Sequence, residues 1–130
     1  MGHDSGRLIN PMVVEGQIQG AVALGLGATL LAEVVYDDAG QPLTGTYMDY
    51  LLPTATDVPA TVIDHLETLS PLDPLGFKGV GESGALPVAA ALASAIEDAL
   101  AARSVLIREV PITPARLQAM LDASDSSPLN

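Results

Sequence analysis

The chain contains no cysteine and no tryptophan, and its aromatic side chains amount to Tyr36, Tyr47, Tyr50 and Phe77. Without thiols it can form no disulfide and offer no thiolate to a metal. With so few rings, its core has to be assembled from Ala, Val, Leu and Ile. Positive charge is equally scarce: five Lys and Arg stand against 16 Asp and Glu, a net charge of −11. Neutralising phosphates takes clustered cations, so nucleic acid is not an expected partner. Long apolar runs are missing too. The longest, "GAVALGLGATLLA" at Gly20–Ala32, has 13 residues, against the roughly 20 that a membrane span needs, and it reads as a buried helix. No secretory pattern opens the chain, so the expected compartment is the cytoplasm. A length of 130 residues suits one domain with a real core.

What is present is organised by glycine and proline. Asn10 and Pro11 make a helix start, with the side chain as N-cap and the imino acid in the first turn. The helix runs to about Ala32 with apolar residues on all sides after Gly20, a pattern that predicts burial on most faces. Its glycines at 16, 20, 25 and 27 each cost about 1 kcal/mol relative to Ala, which is tolerable where another backbone or a ligand comes close. A hairpin is expected next, Val34–Tyr36 and Leu43–Thr46 around a turn at 38–41. The stretch 48–59, interrupted by Pro53 and Pro59, reads as irregular or a short helix, and "ATVIDHLET" as a strand. A proline- and glycine-rich loop follows over 70–84. Pro87 then opens the alanine-rich helix "VAAALASAIEDALAAR". "VLIREVPI" is expected to be a strand, and Thr113-Pro114 caps a last short helix. The predicted unit is α+β, a small mixed sheet packed with two longer helices, spanning residues 1–123 and followed by a polar tail at 124–130.

The loop "GFKGVGESGALP", Gly76 to Pro87, carries the chemistry. Gly76-x-x-x-x-Gly81 has the spacing of a phosphate-binding loop. Glu82 and Ser83 follow where such a loop has Lys-Ser/Thr, and a glutamate repels phosphate. Gly25-x-Gly27 is part of a dinucleotide fingerprint, but no third glycine and no preceding strand complete it. Two readings of the loop remain: solvated turns with an ordinary surface glutamate, or bare backbone approaching a ligand with one acid held beside it as a general base. Gln17 and Gln19 likewise either face water or use their amides on a heterocyclic or phosphate-bearing cofactor near the helix start. His3 and His65 lack a second ligand at metal-site spacing, so no protein-ligated metal is expected. Glu97 and Asp98 read as solvated, and Lys78 as facing solvent or pairing with Glu82.

Three separated stretches in one order resemble a single family: "DSGRLINPMVVEGQIQGAVALGLGATLLAEVVYDDAGQPLTGTYMDYLLPTATDVP", "PLGFKGVGESGALPVAAALASAIEDAL" and "VPITPARL". Together they are similar to the C-terminal part of the molybdopterin-binding large subunit of the molybdenum hydroxylases. That family includes xanthine dehydrogenase, aldehyde oxidase and aerobic carbon monoxide dehydrogenase. The resemblance spans Asp4 to Leu117. It implies that Glu82, in "KGVGES", is the catalytic glutamate, and that Gln17, in "EGQIQG", binds the pterin. Gly79, Val80, Gly81 and Ser83 would shape the cofactor-facing loop.

The implied activity is oxidation of aldehydes, N-heterocycles or carbon monoxide by a metal-bound oxygen. The implied cofactor is molybdopterin, held by the complete enzyme and not by this chain alone. The implied partners are the other molybdenum-subunit domains and iron–sulfur and flavin subunits or domains. Because family members are several times longer, the expectation is a truncated product, a split subunit or an excised domain, inactive alone and prone to homo-oligomerise. The competing expectation is an orphan module that keeps the fold, binds no cofactor and serves in binding or oligomerisation.

Overall fold

The computed structural model describes residues 1–126. Its elements, in chain order, are strand β1 (Gly2–Asp4), helix α1 (Pro11–Leu30), strand β2 (Asp64–Leu66), helix α2 (Val88–Ala99) and helix α3 (Pro114–Ser126). A single 3-10 turn, Ala101–Arg103, follows α2. The α+β class is as expected. The sheet consists of β1 and β2 alone, paired in parallel with His3 opposite His65, and β1 lies in a stretch where no strand was anticipated.

Helix α1 begins where its capping chemistry requires. The Asn10 side chain accepts a hydrogen bond from the Val13 N–H at 3.3 Å, and Pro11 fills the first helical position, where no N–H is needed. Its buried positions are Val14, Ile18, Ala21, Gly25 and Thr29, a stripe at helical spacing, together with Gly27 on the opposite face. Burial on most faces after Gly20 is as expected: of residues 21–30 only Leu24 and Ala28 are exposed. The first half of the helix is covered on the stripe alone, and Met12 and Val13 are exposed.

The stripe is covered through glycine contacts. A Cβ on Gly84 would lie 2.6 Å from the Ile18 carbonyl oxygen and 2.8 Å from the Ala21 methyl, so the loop backbone rests directly on α1. A Cβ on Gly25 would lie 2.8 Å from Val88, which lets the start of α2 approach α1. On the opposite face the Pro53 ring covers Gly27, where a Cβ would lie 2.8 Å from it. Gly16 and Gly20 take no part: a Cβ on either would meet nothing within 4 Å.

The two remaining strand expectations are not met. Around the turn at 38–41 only an isolated bridge, Tyr36 with Pro42, forms. Asp37 builds the turn instead, its carboxylate accepting from the N–H groups of Ala39 at 2.9 Å and Gln41 at 2.8 Å. Gly40 sits at φ +78°, and Pro42 has no N–H with which to extend a ladder. The segment 105–112 has no strand beside it. Its N–H groups are taken singly: Ile107 donates to the Glu97 carboxylate and Ile112 to the Thr29 carbonyl, each at 2.6 Å. Glu97, expected to be solvated, therefore fastens this segment to α2.

Helix α3 starts as expected, with the Thr113 hydroxyl accepting from the Arg116 N–H at 3.3 Å. The Arg116 guanidinium reaches Glu33 at 2.5 Å, tying α3 to the segment that leaves α1. The helix runs on through Ser126, the first three residues of the anticipated tail; residues 127–130 lie outside the described residues. No helix among the described residues is long and apolar enough to cross a membrane.

Replacing Gly84 by Ala forces the loop off the Ile18 carbonyl and is expected to destabilise the fold by about 1–3 kcal/mol. Gly16→Ala fills open space on an exposed helix face and should stabilise by up to about 1 kcal/mol. Urea unfolding of the two variants beside the parent chain measures both, and equal loss in the two would show that Gly84 is not a contact point.

Candidate functional site

The glycine loop is held at its base by Asp4. The Asp4 carboxylate accepts from the Gly6 N–H at 2.9 Å, from the N–H of Thr68 at 3.1 Å and from its hydroxyl, and it pairs with the Lys78 ammonium at 2.6 Å. One side chain thus joins β1, the segment after β2 and the loop. The Lys78 ammonium beside it, with the Thr68 and Gly6 hydrogen bonds, holds the Asp4 carboxyl well below the usual carboxylate range. Lys78 accordingly neither faces solvent alone nor pairs with Glu82. Backbone bonds complete the anchor: Arg7 N–H to the Gly76 carbonyl and Lys78 N–H to the Ser5 carbonyl, both 3.0 Å. Gly6 and Gly76 adopt φ of +63° and +78° at this crossing. A Cβ on Gly6 would lie 2.2 Å from the Gly76 oxygen, so no other residue fits there.

Beyond this anchor the loop runs along α1. Ser83 is half-buried and its hydroxyl donates to the Val80 carbonyl at 2.9 Å, closing a turn around Glu82. The Ala85 N–H donates to the Glu82 carbonyl at 3.0 Å, and Gly84 then rests on Ile18. The structure therefore brings the loop carrying Glu82 against the turn of α1 carrying Gln17, although the two are 65 positions apart in the chain. Gln17 and Glu82 are both exposed, and neither side chain is engaged by a hydrogen bond or ion pair within the described residues. Gly79 and Gly81 are exposed, and a Cβ on either would meet nothing within 4 Å. Bare loop backbone with a free carboxylate and a helix with a free amide are thus in contact through Gly84 and Ile18.

Comparison with known proteins matches the chain to one family. A family model described as a molybdopterin cofactor-binding domain matches residues 1–59. The gamma subunit of the 6-hydroxypseudooxynicotine dehydrogenase complex of Paenarthrobacter nicotinovorans is 44% identical over 115 residues, covering 88% of this chain and 14% of the relative. The solved structure of quinoline 2-oxidoreductase from Pseudomonas putida 86 superposes with a TM-score of 0.89 at 54% identity, over 93% of this chain and 15% of that one. The chain belongs to the xanthine dehydrogenase, carbon monoxide dehydrogenase and aldehyde oxidase large-subunit family. Another of its members, reconstituted carbon monoxide dehydrogenase from Oligotropha carboxidovorans, superposes at a TM-score of 0.88 and 33% identity, over 95% of this chain and 15% of its own length. The chain thus spans about 14–15% of the length of the family members it matches.

Two groups that organise the site were not singled out from the sequence. Asp4 was passed over, although an Asp two residues before a Gly is an Asx-turn signal. Thr29 is 1% exposed; its hydroxyl donates to the Gly25 carbonyl at 2.6 Å while its own carbonyl holds Ile112.

Acidification tests the Asp4 anchor. Its folded-state pKa is depressed, so its contribution to stability is complete above the unfolded-state value, near 3.8, and is lost as pH falls from there towards the folded-state value. Asp4→Asn should therefore be less stable than the parent at neutral pH, and the gap should narrow steadily below about pH 4. Thermal unfolding across that range reads it; a gap independent of pH would assign the effect to packing.

Proposed function

We propose that this chain is the part of a molybdenum hydroxylase subunit that presents the catalytic base, and that it works only inside the complete subunit. The observation that carries this is the seating of Gly84 on Ile18, which puts the loop bearing an exposed, unengaged Glu82 in backbone contact with the helix bearing an exposed, unengaged Gln17. The residues fit the group the family binds. Bare backbone at Gly79 and Gly81 leaves room for close approach, the Gln17 amide can both donate and accept towards a pterin, and Glu82 is free to take a proton. When bound, the molybdenum cofactor supplies the oxygen-transfer and electron-accepting chemistry of the hydroxylation.

The role of this chain is to position groups around that chemistry. Glu82 acts as general base and holds the proton released as the substrate is hydroxylated. The Ser83–Val80 hydrogen bond fixes the turn from which Glu82 projects, and the contact of Gly84 with Ile18 fixes that turn relative to Gln17. Val80, half-buried, sets the loop's inner edge. Because Glu82 is exposed here, exclusion of water from the proton transfer falls to protein laid over this face. The substrate classes are those of the relatives: N-heterocycles, aldehydes or carbon monoxide. The proposed partners are the remaining molybdenum-subunit domains with iron–sulfur and flavin subunits or domains, in the cytoplasm.

Molybdenum content and turnover in the complete assembly separate the roles. Glu82→Gln is expected to abolish turnover, by at least about a hundredfold, with molybdenum content unchanged. Gln17→Ala is expected to lower molybdenum content. Loss of metal in Glu82→Gln would make that residue structural and overturn its assignment as base.

A second reading keeps the fold without the cofactor, as a binding or oligomerisation module. It is favoured by the amount of apolar surface left open, including Tyr47, Met48, Leu51 and Leu52 on one stretch. Surfaces of this kind drive association, so the isolated chain should form homo-oligomers as its concentration rises. Sedimentation velocity checks this, and a monomer throughout would count against it.

A further inference from the structure

A cavity of about 220 Å³ opens beside the glycine loop, between the segment that follows β1, the first turns of α1 and residues 77–80. Its walls include Val13, Phe77 and Val80, and its polar lining includes Ser5, Arg7 and Lys78. Ser5 is 3% exposed, and its hydroxyl has no hydrogen-bond partner among the described residues. A buried hydroxyl left without a partner costs about 1–3 kcal/mol, a cost that a ligand reaching it from the cavity would offset. The Arg7 guanidinium, like that of Arg108, forms no ion pair among the described residues, whereas Lys78, Arg103 and Arg116 each form one. Both cations of the cavity stand on the rigid crossing of the 5–7 and 76–78 segments, whose backbones are bonded at 3.0 Å on either side of Gly6.

We propose that this cavity binds a small monocarboxylate carrying one apolar ring. Its carboxylate lies on Arg7 and the Ser5 hydroxyl, and its ring lies against Val13, Phe77 and Val80. Charge selects the monoanion: Asp4 sits 2.6 Å from Lys78 and offsets it, leaving the single uncompensated charge of Arg7. A planar guanidinium fork matches a carboxylate in two-point geometry. Size selects the ring. The volume equals that of about seven waters and falls below the roughly 300–1,000 Å³ of pockets for drug-sized molecules. The site stands on its own residues and does not depend on bound molybdenum.

Benzoate is the probe and benzamide its uncharged isostere. Equilibrium binding of each is measured to the protein in the assembly in which it is purified, with molybdenum content determined on the same samples. Saturable benzoate binding at one site per chain is expected, at least about tenfold tighter than benzamide and independent of the molybdenum content. Arg7→Gln should weaken benzoate about tenfold or more without changing benzamide. Arg7→Lys should restore part of the loss, and Ser5→Ala should weaken benzoate further. Equal binding of benzoate and benzamide would overturn the proposal without any variant being made. So would benzoate binding unchanged by Arg7→Gln in a folded variant, or no saturable binding in the assembly, which would mean that other parts of the protein fill the cavity. Benzoate binding in samples lacking molybdenum and turnover would sustain this site while counting against the hydroxylase reading.

Discussion

Everything at the candidate site depends on one backbone contact, the seating of residue 84 on the Ile18 carbonyl of α1. The contact exists because glycine has no side chain there: a Cβ would stand 2.6 Å from that oxygen. It lays the loop that bears Glu82 against the helix that bears Gln17, 65 positions earlier in the chain. The loop is fixed at its other end by Asp4 and by the left-handed glycines 6 and 76. Between these two fixed points only a short turn is left, and Glu82 projects from it. A carboxylate held between two anchors can be positioned for proton transfer while remaining on a loop, which a freely moving surface glutamate cannot.

Much of this was legible in the residues, and the misses share one cause. The three helix starts were readable because capping is local: Asn10-Pro11, Pro87 and Thr113-Pro114 act within a turn of themselves. The loop at 70–84 was legible for the same reason, from its prolines and glycines. Strands proved harder, because a strand is defined by its neighbour. The apolar 105–112 segment has the composition of a strand but no ladder beside it, whereas Gly2–Asp4, with weak strand composition, becomes one by finding Asp64–Leu66. Glu97 and Lys78 were misread because their partners, Ile107 and Asp4, are 10 and 74 positions away. At the site, the spacing of "GFKGVGESG" left two readings open. The family resemblance named Glu82 and Gln17, and the fold adds the contact between the loop and the helix that bear them.

The unused apolar faces of α1 belong to the same account. A helix that is apolar all round is made to be enclosed, and this chain encloses the second half of α1 while covering only one stripe of the first. Gly16 and Gly20 line the uncovered side, next to Gln17, with nothing within 4 Å. Small residues and a free amide on an open helix face suit a close approach by something rigid and polar, whereas the covered stripe, with Ile18 at its centre, is ordinary core.

The parallel pairing of β1 with β2 has a further consequence, for the order in which the molecule can be built. The two strands are separated by about sixty residues, and closing a loop of that length carries an entropic cost that the three-residue ladder cannot offset alone. On a ribosome, α1 emerges and can coil early, since its cap and hydrogen bonds are local. β1 cannot pair with β2, nor can the Asp4 anchor close, until residues 64–78 have been synthesised. Assembly of the site is thus timed by the arrival of the loop.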